Sequence, residues 1–370
     1  MLAPMPALSR APRASADPSR TLGDVLRRVV PARARLLLGV SGGSDSMALL
    51  AAAHAAVPER DRLVVAHVRH GLRPDDARDA ELVGDVCASL DRPCEILHAP
   101  PTDPADPADR SETAARRRRM TALARAAREA DARWVLLAHH LDDDLQTTLL
   151  HLARGHRGDR ALAGIPTVRP LDEHTRLLRP FLAGAAPTDR RALARARQAA
   201  GLPYREDVTN SDTTVPRNRV RAWLDAADED VRVRLRRAQL SARTRVQSRE
   251  LSAAAALESA LRGEGLGCRI PREVLLDEGS ADPDQDFAER LRLAAACLKR
   301  PRRLDTRGAV MRDLRRMLLA GSGRMSLPAA PQALAVTVSR TALHLPHEPL
   351  ASGPPAARVL QAVGAGSLYL

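Results

Sequence analysis

The chain has 370 residues, enough for two domains or three, and 44% of them are hydrophobic while only 2% are aromatic, so any core is aliphatic and alanine-rich. No uninterrupted apolar run approaches the ~20 residues a bilayer-spanning helix requires, which excludes a membrane-spanning chain. The formal net charge of +13 favours a polyanionic partner, but Lys299 is the only lysine, so a Walker-type loop with its phosphate-binding lysine is excluded.

Residues 1–32 are expected to form a disordered extension: the opening stretch is rich in Pro, Ala, Arg and Ser and lacks the apolar core of a secretory signal. ARLLLGV (34–40) then predicts a buried parallel strand ending in Ser-Gly-Gly, followed by a helix from Ser46 to about Ala56. LVVAHV (63–68) predicts a second strand, Asp75–Leu90 an amphipathic helix, and Glu95–His98 a weaker strand. The Pro/Asp stretch 100–109 has loop composition. Ser111 provides N-capping chemistry for a helix running to about Ala132. WVLLAH (134–139) is another strand, and Asp142 to about Ala153 another helix.

This alternation predicts an α/β domain with a parallel sheet wound by helices on both faces, over residues 33–221. Residues 222–322 have helical spacing and predict a mainly helical domain with a break at 263–271, and 323–370 predict a small β element and a poorly ordered tail. The four cysteines, Cys87, Cys94, Cys268 and Cys297, form neither a C-x-x-C pair nor a zinc-ligand spacing and suit a reducing cytoplasm.

Ligands of such sheets bind at the carboxyl ends of the strands. Three polar motifs fall there: Ser41-Gly42-Gly43-Ser44-Asp45-Ser46, HVRHGLR (67–73) and HHLDDD (139–144). Glycines let a backbone approach phosphates, a helix N-terminus supplies amide donors, and the serine hydroxyls add more. Asp45 suits a loop-holding role or a metal bound to pyrophosphate. Each motif also has a plainer reading: a Ser/Gly turn capping a helix, a solvated arginine face, structural histidines, and acidic residues that complement a helix dipole. Two histidines beside three carboxylates also compose a metal-site donor set.

The full SGGSDS loop resembles the pyrophosphate loop (PP-loop) of the N-type ATP pyrophosphatases, whose fold is adenine nucleotide α-hydrolase-like and which adenylate a substrate oxygen. Within that superfamily, residues 34–221 are most similar to the lysidine synthases. HVRHGLRPDDARDAE (67–81) resembles their H-V-N-H-G-L-R segment, with Arg69 in place of Asn. In SETAARRRRM (111–120), Glu112, Arg116 and Arg119 match, and Met120 stands where an aromatic is usual. In AHHLDDDLQTTLLHLARG (138–155), His139, His140, Asp142, Asp143, Thr147 and Arg154 match, while Asp144 replaces Gln and Gln146 replaces Glu. LAGIP (162–166), LLRP (177–180), EDVTNSD (206–212) and RNRVR (217–221) fit the closing signature.

The resemblance implies ATP and Mg²⁺ as cofactors, with isoleucine tRNA bearing a CAU anticodon and free L-lysine as partners. It places Ser41, Gly42, Gly43, Ser44, Asp45 and Ser46 on the triphosphate and the metal at Asp45. It places Asp142 or Asp143 on the lysine ammonium, Arg116 and Arg119 on phosphoryl charge or tRNA backbone, and His139 on phosphate or base. The helical half would hold the tRNA through its phosphates, with stacking limited to residues such as Tyr204 and Trp223. The oligomeric state is left open. Three alternatives stand beside this: a tRNA thiolase, disfavoured by the lack of paired cysteines; a small-molecule ligase; and a tRNA-binding protein with a decayed site.

Overall fold

The computed structural model describes residues 18–69, 76–100, 111–172, 174–183, 188–206, 214–258, 260–264, 267–276, 282–298, 303–304, 309–327, 329–330, 333–345 and 348–354. The His70–Arg73 part of the second motif, most of EDVTNSD and the stretches 1–17, 101–110 and 355–370 lie outside them. The chain forms two compact units, one built on residues 1–144 and 171–213, the other on 145–170 and 214–369.

The short aliphatic runs of the first unit become strands because both of their faces are covered. β1 (Leu36–Gly39), β2 (Leu63–Arg69), β3 (Cys94–His98), β4 (Trp134–Leu136) and β6 (Arg176–Leu178) form one sheet in the order β3-β2-β1-β4-β6, while the short β5 (Val168–Pro170) ends the segment that belongs to the other unit. The pairs β1–β2, β1–β4, β2–β3 and β4–β6 are parallel. Leu36, Leu37 and Leu38 are fully buried.

One face is closed by α4 (Glu112–Glu129), whose Met120, Leu123, Ala126 and Ala127 pack with Leu37, Val64, Ala66 and Val135. Ser111 caps this helix by accepting the Ala114 amide at 3.2 Å. On the sheet also pack α2 (Ser44–Ala56), apolar all round and buried from Ser46 to Ala53, and α3 (Asp76–Ser89). At Gly39 a Cβ would stand 2.6 Å from the end of the Leu137 side chain, which would have to shift to admit it.

The first correction falls at the N-terminus. Within the expected disordered extension 1–32, of which 1–17 lie outside the described residues, the structure shows the helix α1 (Pro18–Val29), which packs on α2 and on α7 (Arg190–Ala199). Leu22 and Leu26, one turn apart, are buried there and anchor it.

In the second unit, α6 (Asp159–Leu162) and the part of α5 (Leu141–Ala153) from Leu145 onward stand with α8 (Pro216–Ala226), the 30-residue α9 (Glu229–Glu258), α10 (Arg272–Leu275), α11 (Pro283–Ala296) and α12 (Ala309–Ala320). The helical content expected after 216 is present. The expected break at 263–271 is instead a hairpin, β7 (Arg262–Glu264) and β8 (Gly267–Pro271), at the edge of an antiparallel sheet ordered β10-β12-β13-β8-β7. Its other strands are β10 (Gly323–Leu327), β12 (Leu334–Val338) and β13 (Ala342–Leu345); β9 (Arg303–Leu304) and β11 (Ala329–Ala330) pair separately.

Ile270, Phe287, Leu291, Leu314, Leu334, Val336 and Leu343 share one core, so helices and strands close a single layer pair. The expected boundaries at 221/222 and 322/323 are therefore not where the chain divides. Sheet and helices of the C-terminal half are one body because neither buries its apolar face without the other.

Candidate active site

The neighbours of β1 are β2 on one side and β4 on the other, so the order of connection reverses between β1 and β4. In doubly wound sheets a crevice opens at that reversal, outside the strand carboxyl ends. The residues that follow β1 and β4 are the Ser41–Ser46 loop and the His139–Asp144 segment. Helix α4 connects two parallel strands and must run back against them, so its first turns, with Arg116 and Arg119, start from the same edge.

The loop is held by its own side chains. Ser46 Oγ donates to the Gly43 carbonyl at 2.8 Å and accepts the Ser41 amide at 3.2 Å; Ser41 Oγ lies 3.2 Å away as a second donor to it. Ser46 is buried and its one proton is used, so it shapes the loop, whereas Ser41 is exposed and Ser44 half-buried at the helix start. The first amides of α2, those of Ser44, Asp45 and Ser46, have no carbonyl one turn back within the helix and form a donor cluster for an anion.

Gly42 adopts φ +86°, a left-handed conformation that side chains resist. Its carbonyl accepts the Arg205 amide at 3.0 Å, and Arg205 pairs with Asp79 at 2.8 Å, latching the chain after α7 to the loop and α3. A Cβ at Gly42 would come no closer than 3.6 Å to the Asp79 carbonyl, so strain and not crowding opposes a side chain there. Gly42→Ala is expected to fold and to weaken the loop's hold on a phosphate-bearing ligand about tenfold, from a backbone cost of about 1–2 kcal/mol, as read by equilibrium titration with pyrophosphate.

Across the reversal, the hub is His140, whose side chain is fully buried. Its Nε2 lies 3.3 Å from Asp45 Oδ2 and 3.4 Å from Asp143 Oδ2, and its Nδ1 lies 3.4 Å from Asp142 Oδ2. Asp143 also accepts the His140 amide at 3.2 Å, and Asp142 accepts the Arg190 amide at 2.9 Å, capping α7. Burial works against charging the ring, but hydrogen bonds to Asp142 and Asp45 and the charges of Asp143 and Asp45 overcome it and raise its pKa from 6.5 to about 9. The charged ring donates Nδ1–H to Asp142 Oδ2 and Nε2–H to Asp45 Oδ2. The neutral ring instead accepts the Asp142 amide, 3.2 Å away, on Nδ1.

A folded pKa above the unfolded one gives stability that is complete below pH 6.5 and lost as pH rises through about 9. The thermal midpoint should therefore fall across that window, and His140→Gln should flatten the decline; an unchanged slope in the variant would remove His140 as its source. His67, at the end of β2, is the opposite case: burial lowers its pKa despite the bond from Nδ1 to the Val40 carbonyl at 3.0 Å, so it is a neutral prop beneath the loop.

The structure thus joins Asp45, Asp142 and Asp143 around one imidazole. It brings His140 and not His139 to Asp45; His139 is half-buried beside it in sequence. Arg116 and Arg119 are half-buried one turn apart on α4, with Arg117 exposed and Arg118 buried. Gln146, which stands where the lysidine synthases have Glu, is buried and accepts Arg217 Nε at 3.4 Å, so the substitution keeps an acceptor for that arginine. Sequence reasoning missed the Arg205–Asp79 latch and the Arg190 amide, which no local motif announces.

The chain belongs to the PP-loop domain family, whose profile matches residues 18–226 and so includes α1, the loop and the His140 cluster. It is 37% identical to the tRNA(Ile)-lysidine synthase of Deinococcus radiodurans over 192 residues, which are 51% of this chain and 29% of that protein. It is also 37% identical to the tRNA(Ile)-lysidine synthase of Bordetella bronchiseptica over 231 residues, 61% of this chain and 64% of that one. The chain therefore spans less than two thirds of the length of these relatives. A U34-tRNA thiolase from Methanococcus maripaludis superposes with a TM-score of 0.49 at 15% identity, over 60% of this chain and 77% of that one.

Proposed function

We propose that this chain is a tRNA(Ile)-lysidine synthase, a ligase that modifies the wobble cytidine of the CAU-anticodon isoleucine tRNA. The observation that carries the reading is the joining of the Gly42 phosphate loop to an acidic cluster, through Asp45 and His140, at the sheet's point of reversal. In the first step the cytidine O2 attacks the α-phosphorus of ATP and pyrophosphate leaves. In the second the ε-amine of lysine attacks the adenylated C2, AMP leaves with the C–O electrons, and the amine loses a proton.

The loop amides and Ser41 would hold the departing pyrophosphate, where charge develops. Arg116 and Arg119 would neutralise the transferring phosphoryl group or grip the tRNA backbone. Asp45 and Asp143 both meet the charged His140 ring at Nε2; of the two, Asp45, whose side chain is 35% exposed, is the one that suits a hard oxygen-liganded cation. Asp45 would hold the Mg²⁺, which when bound supplies charge neutralisation to the pyrophosphate.

Lysine must arrive with its ammonium recognised and then deprotonated, which calls for a carboxylate. Both carboxylates accept a backbone amide, Asp142 from Arg190 and Asp143 from His140; Asp143 is the more exposed side chain, at 15% against 10%, and is assigned that role. His139 is kept as a contact to phosphate or base.

Among the described residues no helix is long and apolar enough to cross a membrane, and a cytoplasmic location fits a tRNA substrate. The test is transfer of labelled lysine into a CAU-anticodon isoleucine tRNA transcript in the presence of ATP and Mg²⁺. Label in the tRNA that depends on ATP supports the reading. Pyrophosphate release without label would retain the adenylating loop and overturn lysine as the nucleophile, and no ATP turnover would favour a binding-only protein.

A further inference from the structure

Trp223 stands on α8 with 52% of its surface exposed, the largest apolar side chain the structure leaves to solvent. The other described aromatics are otherwise engaged: Phe181 and Phe287 are buried, Trp134 is half-buried in β4, and Tyr204 lies under Arg197, whose guanidinium carbon is 4.0 Å from the ring centroid. Trp223 is not needed to pack α8, because the neighbouring Leu224, 1% exposed, makes that anchor. Exposing an indole forfeits the burial that normally stabilises it, and an exposed Trp among cations marks a contact surface.

The cations are there. Arg219 is exposed one helical turn before Trp223 and on the same face, held by its bond to the Thr214 carbonyl at 3.0 Å. On α9, whose first turn is tied to α8 by Arg232 donating to the Leu224 carbonyl at 3.2 Å, Arg234 and Arg237 are exposed, as are Val231 and Val233. The acidic residues of this hairpin, Asp225, Asp228, Glu229 and Asp230, gather at its bend and leave the Arg219–Trp223 face basic.

We infer that Trp223 is a stacking platform for an unpaired base of the bound tRNA, with Arg219 beside it for the adjoining phosphate; this rests on the proposed tRNA substrate. A flat π-face next to a guanidinium selects single-stranded nucleic acid, because a base inside a duplex offers no free face and a phosphate alone gains nothing from an indole. Trp223 carries no titratable or nucleophilic group, so its contribution is to hold the RNA.

The full chain is titrated with tRNA transcript, a hairpin carrying the anticodon loop, and a fully paired RNA duplex, following tryptophan emission. Trp223→Phe, which leaves Trp134 as the emitter, supplies the background to subtract. Transcript and hairpin are expected to quench the Trp223 emission, and duplex is not. Trp223→Ala should weaken tRNA binding about tenfold, while Trp223→Phe, still able to stack, stays within about threefold of wild type. The salt dependence should be unchanged in both, since no charge is removed. An unshifted thermal midpoint certifies that the exposed position was changed without unfolding. Equal affinity of the Ala variant, or quenching by duplex as strong as by hairpin, overturns the inference. Lysine incorporation with unchanged affinity of the Ala variant overturns it alone, whereas failure of the wild type to bind tRNA brings down the proposed function with it.

Discussion

Asp143→Asn is expected to cut lysine transfer by about 10²–10⁴-fold while leaving ATP-dependent pyrophosphate release near the wild-type rate. The size follows from the nucleophile: a free lysine amine titrates near ~10.4, so at neutral pH nearly all of it is protonated and unreactive until a base takes the proton. Asn keeps an oxygen that can accept the His140 amide, a contact of 3.2 Å in the native chain, and so preserves the start of α5. What it loses is the negative charge and the basicity. Asp142→Asn is the contrasting variant. Its carboxylate accepts the Arg190 amide at 2.9 Å, so the change weakens the cap of α7 and should show in thermal stability more than in transfer. Loss of transfer in the Asp142 variant with full activity in the Asp143 variant would reverse the two roles. Loss of pyrophosphate release in the Asp143 variant would move Asp143 to the adenylation step.

The elements of the first sheet are readable because a buried parallel strand leaves a plain trace, a run such as Leu36–Leu38 or Leu63–Ala66 bounded by polar or glycine residues. The loop and the acidic start of α5 are readable because each is contiguous. What joins them is not: Asp45 and His140 are 95 positions apart, and of two adjacent histidines only packing decides which turns inward. The same holds for Arg205, whose partners Gly42 and Asp79 come from far upstream. Helix α1 hides behind a composition of Pro, Ser and Arg, and its only trace is Leu22 and Leu26 at helical spacing. The β7–β8 hairpin hides behind its glycines, Gly263 and Gly267, since a strand of three residues has too short a pattern to show a period. Even the division of the chain is set by packing, for segment 145–170 continues α5 in sequence yet joins the second unit through partners about a hundred residues onward.

Those partners make Arg160 a side chain whose loss should destabilise the second unit substantially. Arg160 on α6 binds Glu250 of α9 at 2.9 Å and Glu289 of α11 at 2.5 Å, and both carboxylates are about 95% buried, with 5% and 6% of their side chains exposed. Arg292 bridges the same two glutamates, and Asp159 pairs with Arg245 and Arg249 alongside. Burial raises the Glu250 pKa in spite of Arg292 and Arg160, whereas at Glu289 the same two arginines outweigh burial and lower it. Arg160→Met keeps the packing of the stem but leaves two buried carboxylates sharing Arg292. Removing one partner of a fully buried pair costs about 3–5 kcal/mol. Because Arg160 keeps 39% exposure, water screens part of the loss, and about 2–3 kcal/mol is expected in urea unfolding. The sign of the pH dependence follows: the unpaired carboxylates take up protons more readily in the folded variant, so its deficit is full above the carboxylate range and shrinks as pH falls through the raised values. Adding Glu289→Gln to Arg160→Met removes one stranded charge and should recover part of the loss, a coupling between the two sites. A double variant no more stable than Arg160→Met would show that the stranded Glu289 charge is not the source of the loss.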